Sequence, residues 1–310
     1  MLEKKILYEE GNGRDPVGVG HHENAYWRLY GPGPAQAWDC LQASTVIVAG
    51  LGGTGLSIAR TLAASGVGTL VLVDPHSVQH SDAVWGYDVD GLGQPRAEIV
   101  AAELSKQKRG TTKPVVASVE QLPDWEHMVS SATIVVLAGD SMSLAGYDRT
   151  NAACLRHGIR WVSARIDRSR GIIGPFVIPE QTACFTCFEL RNRANSDQPA
   201  DHEALHRYWR KVEDCAHDWP TIAPFSNIIG NFVALDVLRV LASNDLSAVH
   251  GRVLHLELHT FESRFHEILK LPRCPSCTRA RKRPMEKIWD IRSQSSADGL
   301  LEKPSEKLQV

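Results

Sequence analysis

Four glycines crowd into six residues at Gly50-Leu51-Gly52-Gly53-Thr54-Gly55. A β-branched run, Thr45–Ala49, leads into them, and Leu56, Ile58, Ala59 and Leu62 follow at helical spacing. Glycines at these positions let the chain turn sharply and let a phosphate approach the backbone. The amides that open the next helix then face it with free N–H groups and a partial positive charge. A second strand, Thr69–Val73, ends in Asp74. An acid roughly 20 residues beyond such a loop is placed to bind ribose hydroxyls. The order strand, glycine loop, helix, strand, acid predicts a nucleotide site. The alternative is a Rossmann-like turn whose glycines serve close packing alone.

The cysteines carry a second chemistry. Cys184/Cys187 and Cys274/Cys277 form two C-x-x-C pairs. Together they supply four thiolates, which match a tetrahedral Zn2+ with no open position, a structural site. Such an ion would tie a mid-chain loop to the far end of the same domain. A redox C-x-x-C is the rival reading; two copies and no adjacent thioredoxin-like unit count against it. Cys215 precedes Thr221-Ile-Ala-Pro224 and has His217 nearby, so a loop thiolate there could act as a nucleophile, although Glu213 and Asp214 oppose its ionisation. Cys40 and Cys154 read as structural thiols. His202 and His206 share a helix face, and His21 and His22 are adjacent; without further ligands these read as solvated surface.

The elements that must hold these groups alternate. After the second strand, a helix is expected from Pro95 through Gln107, with Pro at its first position. Strands are expected near Lys113–Ala117 and Thr133–Ala138. A helix over Leu144–His157 is capped by Gly158, and a strand follows at Arg160–Ala164. Alternation of this kind implies a mostly parallel, Rossmann-like α/β sheet with helices on both faces. From Gly171 the pattern turns antiparallel and reads as a second layer, a smaller antiparallel sheet: a strand at Gly171–Ile178, then paired runs at Arg252–Leu258 and Phe261–Leu269. Between them lie a charged crossover, residues 191–220, with a helix near Asp201–Lys211, and a buried helix over Asn227–Leu241. Residues 1–43 read as an arm or a short helix around Glu23–Tyr30, not as a domain. Residues 44–170 read as the nucleotide-binding part, 171–278 as its antiparallel continuation, and 279–310 as a mobile polar tail.

Composition narrows the classes. The chain has 310 residues, enough for one large core. A net charge of −2 leaves no basic footprint for nucleic acid. The apolar runs are too short to predict a membrane span, and the N-terminus lacks a signal-peptide core, so a cytosolic protein is expected. Seven cysteines, an odd number, then argue for metal or reactive thiols over disulfides.

On these residues the chain resembles the ThiF/MoeB superfamily, the adenylating relatives of ubiquitin-activating enzymes. The likeness runs from about Glu23 to Cys277. It is strongest to the ThiF-like members of clusters that make modified ribosomal peptides, through GPFVIPEQTACFTCFELR (Gly174–Arg191), TIAPFSNIIGNFVALDVLRVL (Thr221–Leu241) and the closing RCPSC. The resemblance implies that Gly50, Gly52, Gly53 and Gly55 cradle the phosphates of ATP and that Asp74 binds its ribose. It further implies that Asp140, ending the strand IVVLAGD, holds Mg2+; as a residue, Asp140 also reads as an N-cap for the helix that follows. A homodimer and a peptide or carrier-protein substrate are implied in the same way. The family's stretch D-x-D-x-V-x-x-S-N-x-x-R-Q is altered here. Ser81 is kept, Asp82 replaces Asn, Trp85-Gly86 replaces Arg-Gln, and Arg96 replaces the usual Lys. Arg96 keeps a cation to neutralise phosphate charge, and Arg28 could supply a second from the arm or a partner subunit; Arg28 also reads as a solvated surface arginine. The expected activity is ATP-dependent adenylation of a carboxylate. The alternative is a binding protein that has lost adenylation and presents a precursor peptide to a partner modifying enzyme.

Overall fold

Eight strands form one sheet in the order β3-β2-β1-β4-β5-β6-β7-β8. They are β1 (Thr45–Ala49), β2 (Thr69–Val73), β3 (Thr111–Val115), β4 (Ile134–Ala138), β5 (Arg160–Asp167), β6 (Arg170–Val177), β7 (Arg252–Glu257) and β8 (Ser263–Glu267). The first five run parallel, and the last three continue the same sheet edge to edge in antiparallel fashion rather than forming a second layer, because β6 pairs directly with β5. The computed structural model describes residues 21–139, 143–198 and 221–278, with positions 200, 201, 204, 207 and 208. Asp140, Cys215, His202, His206, most of the helix expected near Asp201–Lys211, and the tail from 279 lie outside the described residues.

Successive residues of each central strand point to opposite faces, and the strands are apolar on both. Val46, Val48, Leu70, Leu72, Ile134 and Val136 build one core layer, and Ile47, Ala49, Val73, Val135 and Leu137 build the other. The first layer is covered by α2 (Pro34–Gln42), α3 (Gly53–Ala64), α4 (Arg96–Ser105) and α8 (Ala223–Ser243). The second is covered by α5 (Trp125–Ser130), α6 (Leu144–His157) and α7 (Phe185–Ala194). Strands buried on both faces are the mark of a parallel sheet sandwiched by helices. Helix α8 has the length and composition of a membrane span, yet most of it is buried. Gly230 lets it approach α3 so closely that a Cβ there would lie 2.7 Å from the Thr54 carbonyl oxygen.

The ends of the sheet behave differently from its centre. Edge strand β3 is mostly exposed and carries Pro114, a residue that sheets accept at their edges. It begins two residues before the expected Lys113, since exposed Thr111 and half-buried Thr112 pair with β2 without any apolar signal. Among the described residues, three α-helices carry no clear signal in the sequence. The α2 helix hides in a Gly/Pro-rich context, with Pro34 at its start. The α5 helix buries only Trp125 and Val129, four apart. The α7 helix is a charged segment fixed by buried Phe185 and Cys187. Helix α1 (His21–Tyr30) matches the short helix expected in the arm.

At the far edge, His255 on β7 and His266 on β8 lie with ring centroids 4.5 Å apart. Burial, then His266 and Arg170, pull the His255 imidazole down to about 4. The folded state therefore resists a proton that the unfolded chain accepts near 6.5, so stability is full above that pH and falls as pH drops from 6.5 towards 4. Urea midpoints at pH 7 and pH 5 should show this loss, and His255→Gln should reduce it. Equal losses in the two proteins would remove His255 as the cause.

Candidate functional site

The strand order reverses at β1, which pairs in parallel with β2 on one side and β4 on the other. The crevice beyond the C-terminal ends of β1 and β4 is where open α/β sheets bind ligands. The glycine loop fills that place. Gly50 has φ +89°, a left-handed conformation, and a Cβ there would run into the Ala138 carbonyl oxygen of β4. Gly55 faces the Gly50 carbonyl oxygen with no room for a side chain. Gly52 is the N-cap of α3 and has no side chain to satisfy the opening amides, which lack acceptors within the helix.

The loop is clamped at Leu51. The Leu51 amide donates to Asp74 Oδ2 at 2.6 Å, and the Leu51 carbonyl accepts from the Tyr87 hydroxyl at 2.6 Å. Asp74 is 2% exposed, and its Oδ1 accepts the His76 amide at 2.7 Å. The acid expected to meet a ribose thus also fixes the loop. Tyr87 is buried, and burial, reinforced by the charge of Asp74, pushes its hydroxyl far above the usual phenol range. It remains a donor at any working pH. Tyr87→Phe should lower stability by about 1 kcal/mol, the usual worth of one such bond, and weaken nucleotide binding through the loop. A variant with parent-like urea midpoint and parent-like binding would show the clamp to be idle.

Asp82 and Arg96 form a buried, bidentate ion pair. Arg96 Nε and Nη2 donate to the two carboxylate oxygens at 2.8 Å each, with Asp82 0% and Arg96 9% exposed. Burial works to lower the Arg96 guanidinium, and the Asp82 carboxylate outweighs it, so the group is held more firmly charged than usual. Asp82 Oδ2 also accepts the Gln79 amide at 2.9 Å. Arg96 therefore lies near the loop, but its charge is matched by a carboxylate. Arg60 is engaged as well: it pairs with Glu103 and donates to the carbonyls of Trp85 and Gly86. This grip closes the 3-10 turn His80–Trp85 against α3. Ser81 is exposed on that turn. Trp85 turns inward, and a Cβ on Gly53 would lie 2.7 Å from its Nε1 and 2.5 Å from Ser226 Oγ of α8.

Arg28 is exposed on α1, whose Glu23 pairs with Arg109 just before β3, at the N-terminal edge of the sheet. Helix α6 is capped by Ser143, whose Oγ accepts the Gly146 amide, so the cap does not fall to Asp140. Tyr87 and Ser226 escaped the sequence reading. A Tyr in a loop and a Ser in an apolar helix carry no periodicity, and only the tertiary approach of α8 and the 3-10 turn to the glycines gives them a role.

The four cysteines come together on the other face. Sγ of Cys184 lies 3.9 Å from Cys187 and 3.6 Å from Cys274, and Cys187 lies 3.6 Å from Cys277. All four sulfurs fall within 4.8 Å of one another. Sulfurs at tetrahedral corners around an ion at the usual Zn–S length stand roughly 3.8 Å apart, so the set fits a thiolate-bound divalent cation. Burial pushes the Cys184 thiol up to about 11, so ionising all four thiols at this spacing would require a cation between them. The Leu271 amide donates to Cys187 Sγ, and the Thr186 and Ser276 hydroxyls join the two knuckles at 2.7 Å.

The ThiF family model matches residues 27–278. The chain is 24% identical over 249 residues to the molybdopterin-synthase adenylyltransferase of Salmonella typhimurium, covering 77% of this chain and 89% of that one. It is 27% identical over 241 residues to the SAMP-activating enzyme E1 of Haloferax volcanii, covering 76% and 81%. E. coli MccB shares the fold, with a TM-score of 0.74 at 19% identity over 88% of this chain and 76% of that one. PaaA shares it with a TM-score of 0.66 at 20% identity over 85% and 86%. The matched region spans the glycine loop, its clamp and the cysteine cluster, and the chain belongs to the ThiF family.

Proposed function

We propose that this protein is an ATP-dependent adenylyltransferase that activates a carboxylate on a peptide or carrier protein during the making of a modified peptide. The observation that carries the reading is the glycine loop at the β1/β4 switch point, with the uncapped first turn of α3 turned to the crevice and Leu51 held between Asp74 and Tyr87. Relatives support it: several are adenylyltransferases by name, and MccB has been crystallised with ATP and with N-formylated MccA. In this reaction a carboxylate oxygen bonds to the α-phosphorus, the bond from that phosphorus to the bridging oxygen breaks, and pyrophosphate leaves with the electron pair. Asp140 would hold Mg2+ on the phosphates, and Asp74 would meet the ribose. Arg28 would serve a neighbouring subunit in a homodimer. Zn2+ would bind Cys184, Cys187, Cys274 and Cys277 and hold α7 to the end of the domain.

One observation favours a second reading, a protein that binds nucleotide and peptide but has lost adenylation. Trp85 stands where the family pattern has Arg, and the charge of Arg96 is matched by Asp82. Pyrophosphate exchange separates the two. With ATP, Mg2+, labelled pyrophosphate and candidate carboxylate peptides, the enzyme should return label to ATP only when its peptide is present. A protein that binds ATP yet exchanges with none of them fits the second reading.

A further inference from the structure

Two polar atoms crowd the first turn of α3 with no hydrogen-bond partner among the described residues: Trp85 Nε1 and Ser226 Oγ. Both lie within 2.7 Å of the position a Cβ on Gly53 would take. Ser226 is 1% exposed, and neither its hydroxyl nor the Trp85 indole nitrogen reaches solvent. It belongs to the opening turn of α8, whose N-cap, Ile222, offers no side-chain cap. Two uncapped helix starts thus meet beside two unpaired side-chain donors. Buried donors without partners are costly and rare in folded proteins. An indole N–H can only donate, so whatever completes this place must present an acceptor, which excludes a metal cation.

We propose that Trp85 and Ser226 are phosphate-binding residues, donating an indole N–H and a hydroxyl to phosphate oxygens of the nucleotide at the first turn of α3. The assignment rests on the nucleotide reading above and deepens it. It gives the Trp at the position of the family Arg a function: the donor is kept and the charge is removed. Arg60 fixes the donor's aim, because its bonds to the Trp85 and Gly86 carbonyls hold the turn that carries the indole. Gly53 is required for the same reason, since any side chain there would fill the space between the two donors.

The test is calorimetric titration of the full chain and its Trp85→Phe and Ser226→Ala variants with ATP and with adenosine, each variant checked for parent-like melting. Removing one donor to a charged acceptor should weaken ATP about ten-fold or more and leave adenosine binding unchanged. Ser226→Ala removes a single oxygen and keeps the test decisive if the tryptophan variant does not fold. Variants that bind ATP as tightly as the parent would overturn the assignment, because the donors then do not reach the phosphates. Equal losses for ATP and adenosine would overturn it in favour of a packing role, and tighter ATP binding by Trp85→Phe would mark the indole as an obstruction. A parent that binds adenosine and ATP equally also refutes the donor pair. A parent that binds neither refutes the nucleotide reading itself, and the pair with it.

Discussion

Replacing Arg96 with Met should lower the unfolding free energy by about 3–5 kcal/mol, the cost of stranding one member of a buried ion pair. Asp82 is fully buried, and its two oxygens accept from Arg96 Nε, Arg96 Nη2 and the Gln79 amide. Without the guanidinium the carboxylate must ionise unpaired or take up a proton. The double variant Arg96→Met/Asp82→Leu should recover much of the loss, since paired charges of this kind are often replaceable by apolar side chains of similar volume. Urea unfolding of the parent, both single variants and the double variant gives the coupling energy directly. A coupling near zero would mean that the pair sits in a wetter environment than its exposure indicates. The same set bears on catalysis. Asp82→Asn restores the residue of the family pattern and releases the Arg96 charge close to the loop, so it should tighten ATP binding most at low ionic strength.

The sequence was most legible where local chemistry and tertiary demand coincide. Residues 45–74 contain strand, glycines, helix, strand and acid in an order that only one supersecondary unit satisfies, and each is found where the spacing put it. The same is true of α6, whose Gly158 cap takes the left-handed conformation expected. Segments whose stability comes from outside themselves were opaque. Helix α7 is polar along most of its length and exists because Phe185 and Cys187 are buried against α6 and the cysteine cluster. The partner of Arg96 was hidden for a similar reason. Asp82 and Arg96 looked like two separate departures from a family pattern, and only the folded turn makes them one compensated change, an Asn–Lys combination becoming an Asp–Arg pair. Trp85, equally, reads as a lost Arg until its indole is seen against Gly53 and Ser226.

Metal loss should have the largest effect of all. The purified protein should contain one Zn2+ per chain, and a Cys274→Ser variant should contain much less and melt far below the parent. Structural zinc in zinc-finger peptides contributes roughly 10–16 kcal/mol of apparent binding free energy. Here the ion would close the long loop between the two C-x-x-C pairs, whose sulfurs already stand at tetrahedral spacing. Its loss should act on α7 first. That helix begins at the Cys184 cap, buries Cys187 within its first turn, and ties to the distal segment through the bond from Arg191 Nε to the Leu269 carbonyl. Hydrogen exchange on the chelated protein should therefore show faster amide exchange over 185–194 and 268–277, while β1 and β4 remain protected because both core layers cover them. Nucleotide affinity should fall less than stability, since the glycine loop is clamped by Asp74 and Tyr87 and the cysteine cluster belongs to the opposite core layer. A parent free of zinc, with a melting temperature indifferent to chelator and to Cys274→Ser, would leave four close thiols with no ion to hold.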